Sequence, residues 1–285
     1  MHIGLRPTRV SRFYDALASG IMVCCGNEAS RIAEVMKTTK QHLRQFEEEG
    51  FFFIEFPFSQ DQFRQIEVLQ RQNYDRWAQT KWPDGMNRLA CQFLMLGEPI
   101  LKMVEQSDLL QMARSLLNCD QIHVGACGIG NAIEGYVQPQ TPWHADGEPN
   151  SKQVSFRTAL DRHDTNLGPL RILPGSHNRS RDEVKFELLQ YELATGSHDQ
   201  APAKMFAKHP QELEVILDPR WTMVWSPSCW HASGVKLDAG LRRAMGWNYF
   251  PKGGRHRDFK AIKYIFADQW PQWSPERKQL WGLTD

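Results

Sequence analysis

His144, Ala145 and Asp146 are followed, 85 positions after Asp146, by His231 and, 11 positions later again, by Arg242. A histidine and a carboxylate two apart on an extended strand project to the same face, so both can hold one metal ion, with a third ligand supplied by a distant strand. Two imidazoles and one carboxylate on a triangular face of a cation leave its other positions open, the arrangement of non-heme iron oxygenases. Alone, His-x-Asp is a common tripeptide, and a solvated pair or satisfied loop accounts for it more often than a metal ligand does. The flanking residues decide between the two.

Gln140–Gly147 (QTPWHADG) leads into the alternating strand Val154–Leu160 (VSFRTAL) and then Asn166–His177 (NLGPLRILPGSH). The distal part reads Trp221–His231 (WTMVWSPSCWH) and Leu241–Phe250 (LRRAMGWNYF). From about Lys40 to Phe250 the chain resembles the phytanoyl-CoA dioxygenase family of Fe(II)/2-oxoglutarate-dependent oxygenases. Four features in order carry the resemblance: a Trp before H-x-D, a strand ending in Ala-Leu-Asp, a G-P-L-x-x-x-P-G-S-H segment, and a distal His with an Arg 11 residues on. Departures at Leu167 and at Val235-Lys236 fall in loops and bear on substrate choice.

The resemblance implies Fe(II) held by His144, Asp146 and His231, with 2-oxoglutarate chelating two of the open positions and O2 as the oxidant. The far carboxylate of the cosubstrate needs a fixed cationic fork, which Arg242 suits because a guanidinium pairs with a carboxylate through two parallel hydrogen bonds. Arg243 must point to the opposite side of the strand and is expected to be an exposed charge. His177 is expected to be a structural loop residue near the site, while His123, His163, His198 and His209 carry no ligand spacing. The implied reaction is hydroxylation of an unactivated C–H with release of succinate and CO2. Halogenases of the family have Gly or Ala at the position of Asp146, so the carboxylate here favours hydroxylation or desaturation. A metal-dependent hydrolase could use the same three ligands but has no use for Arg242, and a non-catalytic jelly-roll binding protein is the other alternative.

These residues need a scaffold. Thr39 predicts a helix cap, Gly50 its stop, and Phe51–Phe56 a buried strand. Ser59 and Gln62 form a capping box for a long helix with Phe63, Ile66 and Leu69 facing the core, and Ser107–Leu117 reads as a further helix. Gly125–Gly130 is glycine-rich without G-x-G-x-x-G spacing and is expected to be a loop. Helices first and strands later give an α+β arrangement, and the resemblance makes the core a double-stranded β-helix (jelly roll, cupin-like) with helices packed on one sheet. Residues 178–213 break the strand pattern with charge and turn residues and are read as a lid. Trp143, Trp225, Trp230 and Trp247 flank the site in sequence, and the tail with Trp270, Trp273 and Trp281 is expected to dock on the helical layer.

At 285 residues and 41% hydrophobic content the chain can build one enzyme-sized domain, placed at residues 36–285. A net charge of +1 gives no reason to invoke nucleic acid. Six cysteines without C-x-x-C or framework spacing fit free thiols in a reducing compartment, hence a cytoplasmic location, where 2-oxoglutarate is supplied. Arg6, Arg9 and Arg12 precede the apolar run Ala16–Cys25, but Ser19 and Gly20 interrupt it, no clean cleavage site follows, and it is too short to span a bilayer. Residues 1–35 are therefore read as an extension, with Met36 as a functional start. The basic segment Lys252–Lys260 would suit an anionic substrate: an acyl thioester, a carboxylic metabolite or a lipopolysaccharide sugar such as Kdo. A small-molecule or lipid-linked substrate is thus expected, the latter implying peripheral membrane contact without a transmembrane segment. The sequence sets no oligomeric state.

Overall fold

The computed structural model describes residues 38–132, 140–147, 152–195, 202–219, 221–253 and 258–283. The expected extension over residues 1–35, with Cys24 and Cys25, lies outside the described residues, as do His198 and residues 254–257 of the basic segment. Thr39 caps helix α1 (Lys40–Glu48), and Gly50, at φ +85°, turns the chain into strand β1 (Phe51–Glu55). Ser59 and Gln62 make the reciprocal capping box that opens α2 (Gln60–Gln79). Two further helices, α3 (Arg88–Leu94) and α4 (Glu98–Val104), precede α5 (Ser107–Leu117). Helix α3 escaped the sequence reading because Ala90, Cys91, Gln92, Phe93 and Leu94 are all buried, so it has no polar face and no amphipathic period.

Strands β2 (Ile122–Ala132), β3 (Val154–Ala159), β6 (Trp221–Trp225) and β8 (Arg242–Pro251) join β1 in an antiparallel sheet ordered β1-β6-β3-β8-β2. The short strands β4 (Leu170–Ile172), β5 (Leu213–Val215) and β7 (His231–Ser233) form a second antiparallel sheet ordered β5-β4-β7. The expected loop at Gly125–Gly130 is instead the middle of β2. A register shift falls between Val124 and Cys127, and the ring of Phe250 occupies the space a side chain at Gly125 would need. Glycine here answers a close approach within a sheet, not a turn.

Alternation along the strands divides the side chains between two cores. Phe156, Val224, Met245, Trp247 and Tyr249 meet Phe93, Leu94, Leu101, Leu109 and Ile262 on the helical side. Phe51, Ala159, Met223 and Trp225 meet Leu170, Ile172 and Val215 of the smaller sheet. The result is a jelly-roll core of two facing sheets with helices on one of them. The tail closes that helical layer through α7 (Phe259–Ile265) and α8 (Pro275–Leu280), with Trp281 fully buried and its indole N–H donating to Glu105 at 2.6 Å. Within 178–213, Ser180 caps a helix, α6 (Arg181–Leu193), where charge and turn residues alone suggested irregular chain. Its Val184 and Leu188 pack with Trp143, Leu173 and Trp230. Among the described residues no helix is long and apolar enough to cross a membrane.

Candidate metal centre

The H-x-D segment is not a regular strand, so a shared strand face does not align its two side chains. His144 instead forms a single antiparallel bridge with His231, N–H to carbonyl in both directions at 3.0 and 2.8 Å. Opposed residues of such a bridge place their side chains on one face, and the two imidazole centroids lie 4.2 Å apart. Two residues on, Asp146 and Gly147 both donate their backbone N–H to Pro227 O, at 2.9 and 3.2 Å, which turns the carboxylate towards the imidazoles. His144 Nε2 is then 3.8 Å from Asp146 Oδ1, and His231 Nε2 is 3.7 Å from Oδ2. These separations exceed hydrogen-bond length but suit donors arranged around a common cation. The three ligand atoms lie within 4.8 Å of one another, forming the one such three-residue cluster among the described residues.

Both rings are oriented by backbone carbonyls. His144 Nδ1 donates to Pro142 O at 2.8 Å and His231 Nδ1 to Cys229 O at 2.9 Å. A carbonyl can only accept, so each Nδ1 carries a proton, and in the neutral ring it is Nε2 that offers a lone pair to a metal. Burial, reinforced by neighbouring His144, holds the His231 imidazole below its ordinary pKa and therefore neutral, as a ligand must be.

The turn Pro174–His177 braces this arrangement from behind. Ser176 Oγ accepts from Trp230 N at 2.8 Å and donates to Leu173 O at 2.6 Å, fixing the chain one residue before His231. His177 lies outside the cluster and donates through Nε2 to Glu47 O at 3.2 Å, a structural link to the end of α1. Gly50 is fitted beneath: a side chain there would collide with Cys229 Sγ and the His177 ring. From α6, Arg181 donates to Ala145 O and Gly147 O, at 3.2 and 2.9 Å, on either side of Asp146. Sequence reasoning missed Arg181, because nothing in the spacing of a helical arginine announces a contact with a loop 36 residues earlier.

Adjacent arginines of β8 take opposite faces. Arg243 turns to the helical side and binds Asp161 through Nε at 2.9 Å and Nη2 at 2.7 Å, with Nη1 on Gln70 at 2.7 Å. The expected exposed charge is thus a largely buried ion pair, built from the Asp that ends the Ala-Leu-Asp strand. Arg242, on the inner face, makes no ion pair among the described residues, and its buried Nε lacks a hydrogen-bond partner. Burial lowers its pKa. Arg157 of β3 shares that face and is brought down to about 10 by burial and by the charge of Arg242.

Of the four flanking tryptophans, Trp225 meets a ligand, its ring edge-on to His231 at 4.7 Å. Trp143 and Trp230 are packed with α6, and Trp247 stacks on Phe156 in the helical-side core. His123, His163 and His209 remain outside the metal cluster. His163 Nε2 donates to Arg243 O at 2.9 Å, and burial together with the charge of Arg157 pushes its pKa down to about 3.

Two imidazoles and one carboxylate suit Fe(II), and a guanidinium with a buried, unsatisfied N–H suits a carboxylate. The family model described as Phytanoyl-CoA dioxygenase (PhyH) matches residues 46–244. No curated protein matches the chain. Among solved structures, AviO1 from Streptomyces viridochromogenes is similar at 15% identity, over 76% of this chain and 96% of its own, with a TM-score of 0.57. The non-heme alpha ketoglutarate dependent carbocyclase SnoK from nogalamycin biosynthesis gives 18%, 76%, 86% and 0.57 in the same order. EctD from S. alaskensis, solved with 2-oxoglutarate and 5-hydroxyectoine, gives 17%, 77%, 78% and 0.53. At these identities the likeness is one of fold.

Proposed function

Because the chain belongs to the phytanoyl-CoA dioxygenase family of Fe(II)- and 2-oxoglutarate-dependent oxygenases, we propose that it hydroxylates an unactivated C–H of a small metabolite, sugar or lipid-linked substrate. The observation that carries this reading is the convergence of His144, Asp146 and His231, with both Nδ1 atoms tied to carbonyls and both Nε2 atoms left to bind metal. These residues would hold the iron, and Arg242 would hold the far carboxylate of 2-oxoglutarate. Iron, 2-oxoglutarate and O2 supply the oxidation, with succinate and CO2 released, while the chain binds, orients and excludes water. Residues 36–285 act in this reading as one catalytic domain. Within 178–213, helix α6 is anchored to the H-x-D loop by Arg181 and in this reading covers the substrate side.

The test is anaerobic. Fe(II) and then 2-oxoglutarate are added to metal-free protein, and the weak visible charge-transfer band of the chelated cosubstrate is followed. Asp146→Ala is expected to lose Fe(II) binding, and Arg242→Ala to keep iron but lose the band at cosubstrate concentrations that saturate the wild type. Iron binding without any band in the wild type would refute the oxygenase reading and leave a hydrolytic or non-catalytic metal site.

A further inference from the structure

Alternation on β3 sends Phe156 to the helical core and Ala159 to the core between the sheets, so Arg157 shares the inner face with Ala159. Its register partners are Met223 on β6 and Gly246 on β8, and Gly246 presents no side chain to it. Counting along β8 from Gly246, Arg242 returns to the same face four residues away, at the end where His163 and His231 also feel the charge of Arg157. Arg157 therefore faces the smaller sheet, whose strand β7 begins with His231 of the metal cluster.

Two arginines elsewhere among the described residues are neutralised. Arg171 binds Glu212 through Nε and Nη2 at 2.9 and 2.6 Å and also donates to the carbonyls of Phe206 and Ala207, and Arg243 has Asp161. Arg157 has neither a hydrogen bond nor an ion pair among the described residues, and the charge that acts on it is another cation, Arg242. Arg157 is half-buried, and a cation drawn partly out of water beside a second cation is unfavourable unless something supplies the counter-charge. Iron(II), Asp146, Arg242 and the 2-oxoglutarate dianion sum to no net charge. Arg157 is left over as one positive charge.

We propose that Arg157 receives the acid group of the substrate, so that the molecule oxidised carries a carboxylate or a phosphate ester, gripped by the guanidinium fork on the inner face of β3. This deepens the oxygenase reading above and rests on it. Arg242 and Arg157 then divide the two anions of the reaction: one for the cosubstrate and one for the substrate. Binding at Arg157 fixes the acid group on the floor of the sheet and orients the rest of the molecule towards His144, Asp146 and His231.

Wild type, Arg157→Gln and Arg157→Lys are loaded anaerobically with Fe(II) and 2-oxoglutarate and compared in two ways. The charge-transfer band gives cosubstrate affinity; the thermal midpoint is followed as inorganic phosphate or acetate is added at constant ionic strength. At least one of the two anions is expected to raise the midpoint of the wild type and not of Arg157→Gln, with Arg157→Lys between them; which anion does so distinguishes a phosphate ester from a carboxylate. Cosubstrate affinity in Arg157→Gln should stay within roughly tenfold of wild type, the scale expected when a neighbouring charge is lost but no direct bond. Its midpoint without anions should equal or exceed that of wild type, since an unneutralised charge has been removed. A larger loss of cosubstrate affinity assigns Arg157 to 2-oxoglutarate and overturns the proposal. An anion effect that is absent, or equal in wild type and Arg157→Gln, overturns it too, as does a clear fall in the anion-free midpoint. A missing band in the wild type is a separate outcome, and it sinks the oxygenase reading with everything built upon it.

Discussion

Arg242 and Arg243 are neighbours in sequence, carry the same charge and differ in what surrounds them, so replacing each by Met isolates the effect of environment. The Arg243 guanidinium makes three hydrogen bonds of 2.7–2.9 Å to Asp161 and Gln70, with side-chain exposures of 14% for Arg243 and 20% for Asp161. Its removal leaves the Asp161 carboxylate with the backbone N–H of residue 243 as its remaining partner. The cost lies between that of breaking an exposed pair and a fully buried one, about 2–4 kcal/mol. For a domain of this size the thermal midpoint should fall by roughly 4–16 °C. Arg242→Met deletes a charge that has no partner, so stability should change by less than about 1 kcal/mol or rise. In the role proposed for Arg242, two charge-assisted bonds to the cosubstrate would be lost, worth about 3 kcal/mol and a roughly 100-fold weakening of 2-oxoglutarate binding.

Thermal unfolding followed by circular dichroism and anaerobic cosubstrate titration, run on both variants, give a crossed pattern: one variant is unstable yet binds where it is folded, the other is stable yet does not bind. Equal destabilisation by the two substitutions would show that Arg242 has a structural partner, and the reasoning from its empty environment would fail. A stable Arg243→Met would remove the ion pair from the account of the fold.

Three further outcomes are expected. Arg181→Met should weaken Fe(II) affinity roughly 10- to 100-fold with little change in the unfolding midpoint, because Arg181 orients the chain on both sides of Asp146 without being a ligand; calorimetric Fe(II) titration under argon checks it, and unchanged affinity refutes it. His163, held down to about 3 in the folded protein, takes up a proton in the unfolded chain first, so stability falls as pH drops from the unfolded value of about 6.5 towards 3. At pH 5 this amounts to about 2 kcal/mol, and urea titrations at pH 8 and 5 should show that difference shrinking in His163→Gln; an equal pH dependence in both proteins would contradict the assignment. Gly50→Ala should cost about 2–4 kcal/mol, from the positive φ and the collision with Cys229 and His177, and a urea midpoint equal to wild type would show that the turn yields freely.

What could be read from the chain followed the reach of its signals. Local capping chemistry marked the starts of α1 and α2, and spacing together with the flanking motifs nominated His144, Asp146, His231 and Arg242, of which the first three converge. The means of alignment was not legible, because a bridge between His144 and His231 and a turn held by Pro227 are tertiary contacts that leave no period in the sequence. Helix α3 was hidden by being buried all round, and α6 by a charged sequence whose apolar Val184 and Leu188 are few. The glycines of β2 misled for a physical reason: glycine marks a turn and a close contact alike, and only the ring of Phe250 tells them apart.

The two cores also explain how this fold tolerates unneutralised charge. Burial on the helical side is extensive, running from Phe52 through α3, α4 and α5 to Trp281, and depends on no residue of the metal cluster. The core between the sheets is small, and the shorter sheet contributes three-residue strands. Apolar packing thus covers only part of the inner face, and Arg157 and Arg242 stand on the remainder. Because β8 alternates, the strand that anchors Met245, Trp247 and Tyr249 in the large core also presents Arg242 on its opposite face. Packing is supplied from one face and the unpaired charges stand on the other, so Arg157 and Arg242 sit on strands that Phe156 and Met245 anchor from behind.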